Sequence, residues 1–335
     1  MKNTQIEIKS GTYKIRGKDV ELAGMVFPMV EEFKVGAQGG YVTVDGQAIA
    51  GFPDRNIKIK VNGPDDYVLT SKKTTKREET DEETIERLRE RFQILEDMTK
   101  ACKKGDVRAM IVTGPPGVGK SFGVEKVLGA HELIATLGDR PAKYQVVKGA
   151  MSAIGLYCKL FNYADKDNVL VFDDCDSILQ EDLSLNILKA ALDSKSSRRI
   201  HWNTDSFKLR NEGVPDSFEF KGSCIFITNI KFENVKSKKM RDHLAAIESR
   251  CHYIDLTIDT DREKMLRIKQ ITKDGMLAKH MLDDETHERI VDFIDINKKN
   301  LRELSLRTVL KVADLAKAFP NNWEAMAENT VLKRA

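Results

Sequence analysis

Eight residues of this chain have the types and spacing of a loop that binds phosphate groups. They match the pattern G-x-x-x-x-G-K-[ST] without a mismatch, and they lie between an apolar run at 110–113 and a helical pattern. The glycines of such a loop let backbone N–H groups point at phosphate oxygens, and the helix start adds its positive dipole end. Lys120 is expected to contact the β- and γ-phosphates of a nucleotide, and the Ser121 hydroxyl is expected to bind Mg²⁺. The loop consists of Gly114, Pro115, Pro116, Gly117, Val118, Gly119, Lys120 and Ser121.

Two acids and one amide come directly after further apolar stretches. Asp173 and Asp174 follow the stretch 169–172, and Asn229 follows the stretch 224–228. If these stretches are parallel strands, their carboxyl ends share one sheet edge with the phosphate loop. Asp173 is then predicted to hold Mg²⁺, and Asp174 to orient or deprotonate the attacking water. Asn229 is predicted to bind that water or the γ-phosphate, although Thr-Asn at a strand end is also typical of a turn.

The sequence around these residues predicts the elements that must position them. Near-continuous apolar runs alternate with helical patterns, which indicates a parallel sheet covered by helices on both faces. From about residue 259 onward the pattern is mostly helical. The predicted strands are 109–113, 144–147, 169–172 and 224–228.

The first 70 residues differ from the rest and predict a small β-rich module at 1–70. Short runs there alternate between apolar and polar residues, which is typical of half-buried strands, and no set of catalytic residues stands out. A structural or docking role is therefore the favoured interpretation. The charged stretch 71–84 predicts a linker, within which Thr80 and Glu83 have the spacing of a capping box that starts a helix.

Composition excludes several classes of protein. The 335 residues include 55 Lys and Arg against 52 Asp and Glu, so the net charge of +3 does not indicate a whole-surface nucleic-acid binder. No stretch approaches the roughly 18 apolar residues of a membrane span, and the N-terminal residues lack an apolar signal core. The five cysteines form no CxxC pair, so neither a disulfide framework nor a zinc module is predicted. We expect reduced thiols in the cytoplasm and no membrane partner.

The order of the motifs resembles that of the AAA+ ATPase family. A phosphate loop, an acidic strand and a strand ending in asparagine are similar to the family's Walker A, Walker B and sensor 1 elements, and the similarity extends over residues 85–320. The resemblance implies an AAA+ α/β nucleotide-binding domain at 85–258 and a C-terminal helical lid at 259–335. It also implies ATP and Mg²⁺ as ligands and self-association into a ring, with a hexamer expected.

The same resemblance implies two functional arginines. The segment Ser249-Arg250-Cys251 is similar to the arginine-finger segment of clamp-loader subunits, so Arg250 is expected to reach the γ-phosphate held by a neighbouring subunit. The alternative is that Arg250 forms a surface ion pair. Near residue 305 the chain resembles the start of the sensor 2 helix, where Arg307 is favoured as the residue that touches the γ-phosphate and Arg302 is the rival.

The residues that contact a macromolecular substrate are predicted in two places. In ring ATPases of this family the segment that corresponds to residues 148–157 faces the central pore, where Ile154 and Tyr157 would suit gripping a polypeptide. The equally weighted alternative is that these residues belong to an ordinary amphipathic helix. The insertion 194–222 resembles the pre-sensor-1 hairpin of one AAA+ branch. Its Arg198, Arg199 and Trp202 suit a nucleic-acid backbone and bases, with a solvated hairpin carrying a packed Trp202 as the alternative.

The function predicted from the sequence is an ATP-driven ring motor, with DNA slightly favoured over a polypeptide as its substrate. A protein unfoldase or complex remodeller is the main rival. A slowly hydrolysing assembly switch is a third hypothesis, because many AAA+ members carry Asp-Glu where this chain carries Asp173 and Asp174. The side chain of Asp174 is one methylene shorter and reaches less far.

Overall fold

The computed structural model describes residues 5–15, 17–37, 39–49, 52, 56–70, 79–137, 143–195, 197–230, 232, 235 and 237–334. These residues form two compact units, Met1–Thr84 and Ile85–Ala335. Most of the predicted linker, residues 71–78, lies outside the described residues.

The first unit contains a seven-stranded antiparallel sheet, as the β-rich prediction requires. The alternation of apolar and polar residues along its strands decides which face of the sheet forms the core. In the strand of sequence NIKIK, for example, the two isoleucines are buried and the polar residues are exposed. The strands are β1 Gln5–Ile8, β2 Thr12–Ile15, β3 Lys18–Glu21, β4 Val26–Gly36, β5 Gly39–Asp45, β6 Asn56–Lys60 and β7 Tyr67–Thr70. Their order in the sheet is β3-β2-β6-β5-β4-β1-β7.

The helix that leads into the second unit is α1, Asp81–Lys103, and the predicted capping box is confirmed at its start. Glu83 N–H donates to Thr80 Oγ1 at 3.2 Å, and Thr80 N–H donates to Glu83 Oε2 at 3.1 Å. These reciprocal bonds satisfy two backbone donors that a helix N-terminus otherwise leaves unpaired.

The second unit is built on a five-stranded sheet in which every neighbouring pair is parallel, so the predicted α/β class is confirmed. Its strand order is β14-β8-β13-β10-β9, and β11 and β12 form a separate antiparallel pair. The strand before Asn229 therefore lies between the strands that lead to the phosphate loop and to the two acids. The strands are β8 Ala109–Thr113, β9 Tyr144–Lys148, β10 Val169–Asp173, β11 Arg199–His201, β12 Ser217–Glu219, β13 Ser223–Thr228 and β14 His252–Asp255.

Helices cover both faces of this sheet. Met110 and Val112 of β8 pack with apolar residues of α1 and α2, whereas Ala109 and Ile111 pack with those of α3 and α4 on the opposite face. This double burial explains why β8 reads as an uninterrupted apolar run. The helices after α1 are α2 Lys120–Leu137, α3 Ala153–Asn162, α4 Asp182–Ala191, α5 Phe207–Asn211, α6 Lys238–Glu248, α7 Asp261–Lys273, α8 Asp284–Asn297, α9 Leu306–Ala318 and α10 Trp323–Val331.

The last four helices have a hydrophobic core of their own. Ile268 of α7, Ile290 of α8, Val309 of α9 and Trp323 of α10 are buried together. The helical pattern predicted from residue 259 onward is therefore present. These four helices occupy the part of the chain for which a lid is predicted.

Candidate functional site

The loop 114–121 connects β8 to α2 and contains three glycines in the left-handed region of backbone space. Their φ angles are 148° at Gly114, 71° at Gly117 and 101° at Gly119. Residues with a Cβ adopt such angles only with strain, so the sequence pattern has a direct conformational cause. Because α2 begins at Lys120, the loop ends at a helix N-terminus, which favours anions.

Lys120 is buried inside this loop, with 6% of its surface exposed. Its Nζ donates to the carbonyl oxygens of Gly114 at 2.6 Å and Pro115 at 3.0 Å, and to Asn229 Oδ1 at 2.7 Å. Burial lowers the pKa of Lys120 to about 8, and the negative charge of Asp174 partly opposes that shift. A bound phosphate would supply the anion that this desolvated ammonium group lacks.

The carboxylate of Asp173 lies against the first turn of α2. It is buried at the end of β10, and its Oδ1 accepts a hydrogen bond from Ser121 Oγ at 2.9 Å. Hard oxygen ligands of this kind suit Mg²⁺, which typically binds one or two protein ligands together with substrate phosphates and water. Among the described residues there is no cluster of three or more His, Cys, Asp or Glu side chains that could hold a metal alone. The side chains of Ser121 and Asp173 therefore fit a Mg²⁺ ion that arrives with a nucleotide.

Asp174 and Asn229 complete a chain of hydrogen bonds that starts at Lys120. Asn229 Nδ2 donates to Asp174 Oδ1 at 3.0 Å, while its Oδ1 accepts from Lys120. Asp174 has a φ angle of 53°, a left-handed conformation that costs energy for a residue with a side chain. The strand order explains the contact, since β13 delivers the amide between the loop and the two acids.

Helix α9 contacts the phosphate loop directly. Leu306 N–H donates to Gly117 O at 3.0 Å, and a Cβ added at Gly117 would stand 2.7 Å from Ser305 Cβ. Ser305 caps the helix by accepting a hydrogen bond from Thr308 N–H, so Arg307 lies in its first turn. The positive charge of Arg307 makes a small contribution to the lowered pKa of Lys120. The rival residue Arg302 lies before the helix, where its backbone N–H donates to Val331 O. The first turn of α9, which carries Arg307, therefore lies at the phosphate loop.

Arg250 is exposed just after α6. Its Nη1 donates to Ala246 O of that helix at 2.5 Å. Its guanidinium therefore lies at the surface of the chain, bonded to its own helix.

The insertion 194–222 contains the predicted hairpin, because β11 and β12 pair in the register Arg199 with Glu219. The prediction for Arg198 is wrong. It is buried, its two terminal nitrogens donate to Ala191 O and Gly222 O at 3.1 Å each, and its guanidinium lies over the ring of Phe220. Such a side chain has no free face for a DNA backbone, whereas Arg199 is exposed.

Two aromatic residues from the predicted substrate set pack against each other instead of facing solvent. Trp202 is half-buried, and its ring centroid lies 5.5 Å from that of Tyr157. Tyr157 is fully buried and donates its hydroxyl hydrogen to Pro215 O at 2.9 Å, so its prediction as a pore residue is wrong. The segment is an amphipathic helix capped by Ser152, on which Ile154 is half-buried.

Replacing Arg198 with alanine should lower the free energy of unfolding by about 1–3 kcal/mol, because two buried carbonyl oxygens lose their donors. Chemical denaturation followed by circular dichroism measures the change. Arg199→Ala is the matched control and should change stability by less than about 0.5 kcal/mol, since its side chain is exposed. Equal losses in the two variants would contradict the interior role of Arg198.

Sequence reasoning missed the contact of Lys148 with the site. This last residue of β9 lies opposite Asp173 in the parallel register, and its Nζ is 3.2 Å from Asp173 Oδ2. A hydrogen bond with Glu125 at 2.9 Å is the main reason why the pKa of Lys148 is raised. The sequence offered one indication of this contact. Lys148 ends the strand β9, which pairs with the strand that ends in Asp173.

Within the described part of the chain, every helix is too short or too polar to cross a bilayer.

Comparison with curated proteins finds a relative along nearly the whole chain. The chain is 32% identical over 332 residues to the "uncharacterized 36.7 kDa protein in nrdC-mobD intergenic region" of Enterobacteria phage T4, and the match covers 96% of each sequence. No protein-family model matches.

Two solved structures show a weak likeness to the chain. One is the replication initiator DnaA bound to AMPPCP and single-stranded DNA, with a TM-score of 0.40, 11% identity, and coverage of 71% of this chain and 63% of that one. The other is domain III of DnaA from Thermotoga maritima, with a TM-score of 0.41, 9% identity, and coverage of 72% and 91% respectively.

Proposed function

We propose that this chain, which belongs to the family of the 36.7 kDa phage T4 protein, is an AAA+-type ATPase that moves or remodels a macromolecule. The observation that carries the proposal is the hydrogen-bond chain from Lys120 through Asn229 to Asp174, beside the Ser121–Asp173 pair. These five side chains come from the phosphate loop and two strand ends. A glycine-rich turn with no function would not require hydrogen bonds that join it to the ends of two other strands. Their types match the requirements of phosphoryl transfer to water.

Each residue has a proposed task in that reaction. The loop N–H groups and Lys120 bind the phosphates, and Ser121 and Asp173 would hold Mg²⁺, which neutralises charge on the transferred group. Asp174 accepts hydrogen bonds from the attacking water and orients it. Asn229 holds Asp174 and Lys120 in a fixed relation through its amide, so the water and the γ-phosphate are presented to each other.

We further propose that the active form is a ring, with a hexamer as the expected size. The exposed Arg250 would contact the γ-phosphate bound by the neighbouring subunit, and Arg307 would contact it from the lid helix α9. Because α9 bonds to Gly117, a change in the nucleotide can move the lid relative to the sheet.

DNA is the substrate that we favour, because the hairpin exposes Arg199 and His201 on the same face. A cation beside an imidazole ring suits phosphate and base contacts. The N-terminal sheet is proposed as a docking module. The five free thiols fit the reducing cytoplasm.

A slowly hydrolysing assembly switch is the second candidate. The observation that favours it is Asp174, whose short side chain is already bonded to Asn229 and is held in a left-handed backbone conformation. Such an acid reaches less far toward a water than a glutamate would.

The test is the steady-state ATPase rate of the full chain, measured alone and with single-stranded DNA, duplex DNA or an unfolded protein. We expect stimulation by DNA. Stimulation by the unfolded protein alone would favour an unfoldase, and tight ATP binding without turnover would favour the switch. A chain that binds no nucleotide would overturn the proposal.

The double substitution Arg199→Ala, His201→Ala should raise the DNA concentration needed for half-maximal stimulation on the order of three- to tenfold, because phosphate contacts are lost. Basal turnover should not change, since neither residue touches the nucleotide loop. Lys208→Ala, which removes an exposed cation from α5 instead, controls for the loss of positive charge alone. An unchanged DNA dependence would exclude this face of the hairpin as the DNA contact.

A further inference from the structure

A lysine that no motif includes lies against the carboxylate predicted to hold the metal. Lys148 ends β9, Asp173 ends β10, and the two are partners in the parallel register. The Nζ of Lys148 is 3.2 Å from Asp173 Oδ2 and 2.9 Å from Glu125 Oε1 of α2. A single ammonium group therefore bridges an acid of the site to an acid outside it.

The two ends of this bridge differ in their access to water. The side chain of Asp173 is 7% exposed, whereas those of Lys148 and Glu125 are 59% and 44% exposed. A buried carboxylate is costly unless a positive group or hydrogen-bond donors compensate it. Ser121 serves one oxygen of Asp173, and Lys148 serves the other.

Lys148 and a Mg²⁺ ion held by Ser121 and Asp173 would both draw on the negative charge of the same carboxylate. A Mg²⁺ ion bound at Asp173 would bring two positive charges close to the ammonium group of Lys148. Like charges held near the same carboxylate repel each other. The long exposed arm of Lys148 can leave Asp173 at little cost, because its flexible stem already reaches solvent. Glu125 would keep it nearby after that move.

We propose that Lys148 is a displaceable counter-ion for Asp173. It neutralises the buried carboxylate while no metal–nucleotide complex is bound, and it yields Asp173 to Mg²⁺ and shifts onto Glu125 when the complex arrives. Lys148 is thus a positioning residue, and the inference rests on the proposed ATPase function. Breaking the contact between Lys148 and Asp173 adds a small cost to Mg²⁺ binding.

The test is the Mg²⁺ requirement for nucleotide binding, measured from the fluorescence of a labelled ATP titrated with Mg²⁺. In Lys148→Met, which keeps the length of the stem and removes the charge, the half-saturating Mg²⁺ concentration should fall about two- to fivefold. Binding of the labelled ATP in EDTA should change little. The nucleotide-free protein should unfold at a lower temperature, because Asp173 loses its counter-ion.

Glu125→Gln should act in the opposite direction. It removes the second partner of Lys148, so displacement becomes harder and the Mg²⁺ requirement should rise. Lys148→Arg keeps the charge and should stay near the wild-type value. If the bridge had a purely structural role, Lys148→Met and Glu125→Gln would not change the Mg²⁺ requirement in opposite directions.

Lys126→Met is the matched control. This α2 lysine is 58% exposed and pairs with Glu96 at the same 2.9 Å distance, yet it does not contact Asp173. Its Mg²⁺ requirement should equal that of the wild type.

Two results would overturn the inference while the ATPase proposal stands. If Lys148→Met raises the Mg²⁺ requirement, the lysine helps to hold the metal–nucleotide complex. If Lys148→Met and Lys126→Met both match a wild type that binds Mg²⁺ and ATP normally, the bridge has no role in metal entry. A wild type that binds no nucleotide would instead reject the proposed function, and this inference with it.

Discussion

Replacing Lys120 with alanine should weaken ATP binding and lower the turnover rate by about 10²–10³-fold, the usual cost of removing one preorganised charge from a reacting centre. Lys120 is the buried cation of the loop, and its Nζ is held by Gly114, Pro115 and Asn229. Steady-state ATPase assays and fluorescence titration with labelled ATP measure the two effects. Near-normal turnover in this variant would contradict the phosphate-binding role of the loop.

Asp174→Asn provides the contrasting variant, because it keeps the size of the side chain and an oxygen that can accept from Asn229. It removes the negative charge needed to orient and activate water. We therefore expect it to bind ATP normally and to lose turnover, unlike Lys120→Ala. Unchanged turnover in Asp174→Asn would show that another group positions the water.

Replacing Arg250 with alanine should lower turnover by about 10³-fold or more, within the range known for arginines that act on a neighbour's phosphate. ATP binding within each subunit should persist, because Arg250 is exposed and bonds to its own helix at Ala246 O. The decisive measurement mixes Arg250→Ala subunits with Lys120→Ala subunits, each inactive alone. Interfaces that combine an intact loop with an intact arginine should restore part of the turnover.

Arg241→Ala is the control for this experiment, since Arg241 is an exposed arginine on the same helix α6. It should retain turnover. Mixed subunits that assemble together and stay inactive would contradict a finger supplied between subunits. Full activity of Arg250→Ala alone would exclude the arginine from the reaction altogether.

Local sequence patterns were sufficient to predict the main elements of both units. The four predicted strands of the α/β unit correspond to β8, β9, β10 and β13. Strands β8, β10 and β13 were readable because they are buried on both faces and are therefore almost entirely apolar. The edge strand β9 is only partly buried and gave a weaker apolar pattern. The capping box at Thr80 was equally readable, because both of its hydrogen bonds lie within four residues of sequence.

The central side chains of the candidate site were also predictable, because their positions follow from strand ends. Asp173 ends β10, Asn229 directly follows β13, and Lys120 ends the loop that leads from β8 to α2. Once the three strands are neighbours, these side chains must meet. The strand order itself came from the structure, as did the hydrogen bond by which Asn229 joins Lys120 to Asp174.

The insertion shows where reasoning from residue types stopped. Arg198 and Arg199 are adjacent and chemically identical, yet one is buried and the other is exposed. Alternation in an extended segment places Arg198 on the same side as the buried Ile200, which was the one available signal. The groups that hold Arg198, Ala191 O and Gly222 O, come from segments that spacing alone does not connect to it.

The sequence by itself determined that this chain carries a phosphate loop on a parallel α/β sheet, because that motif and those strands depend on neighbours in the chain. Only the tertiary structure decided which polar side chains are free to act. It enclosed Arg198 and Tyr157, left Arg199 and Arg250 in solvent, and placed Lys148 against Asp173. The physical reason is that burial and ion pairing of a side chain depend on residues far away in sequence, which packing alone brings together.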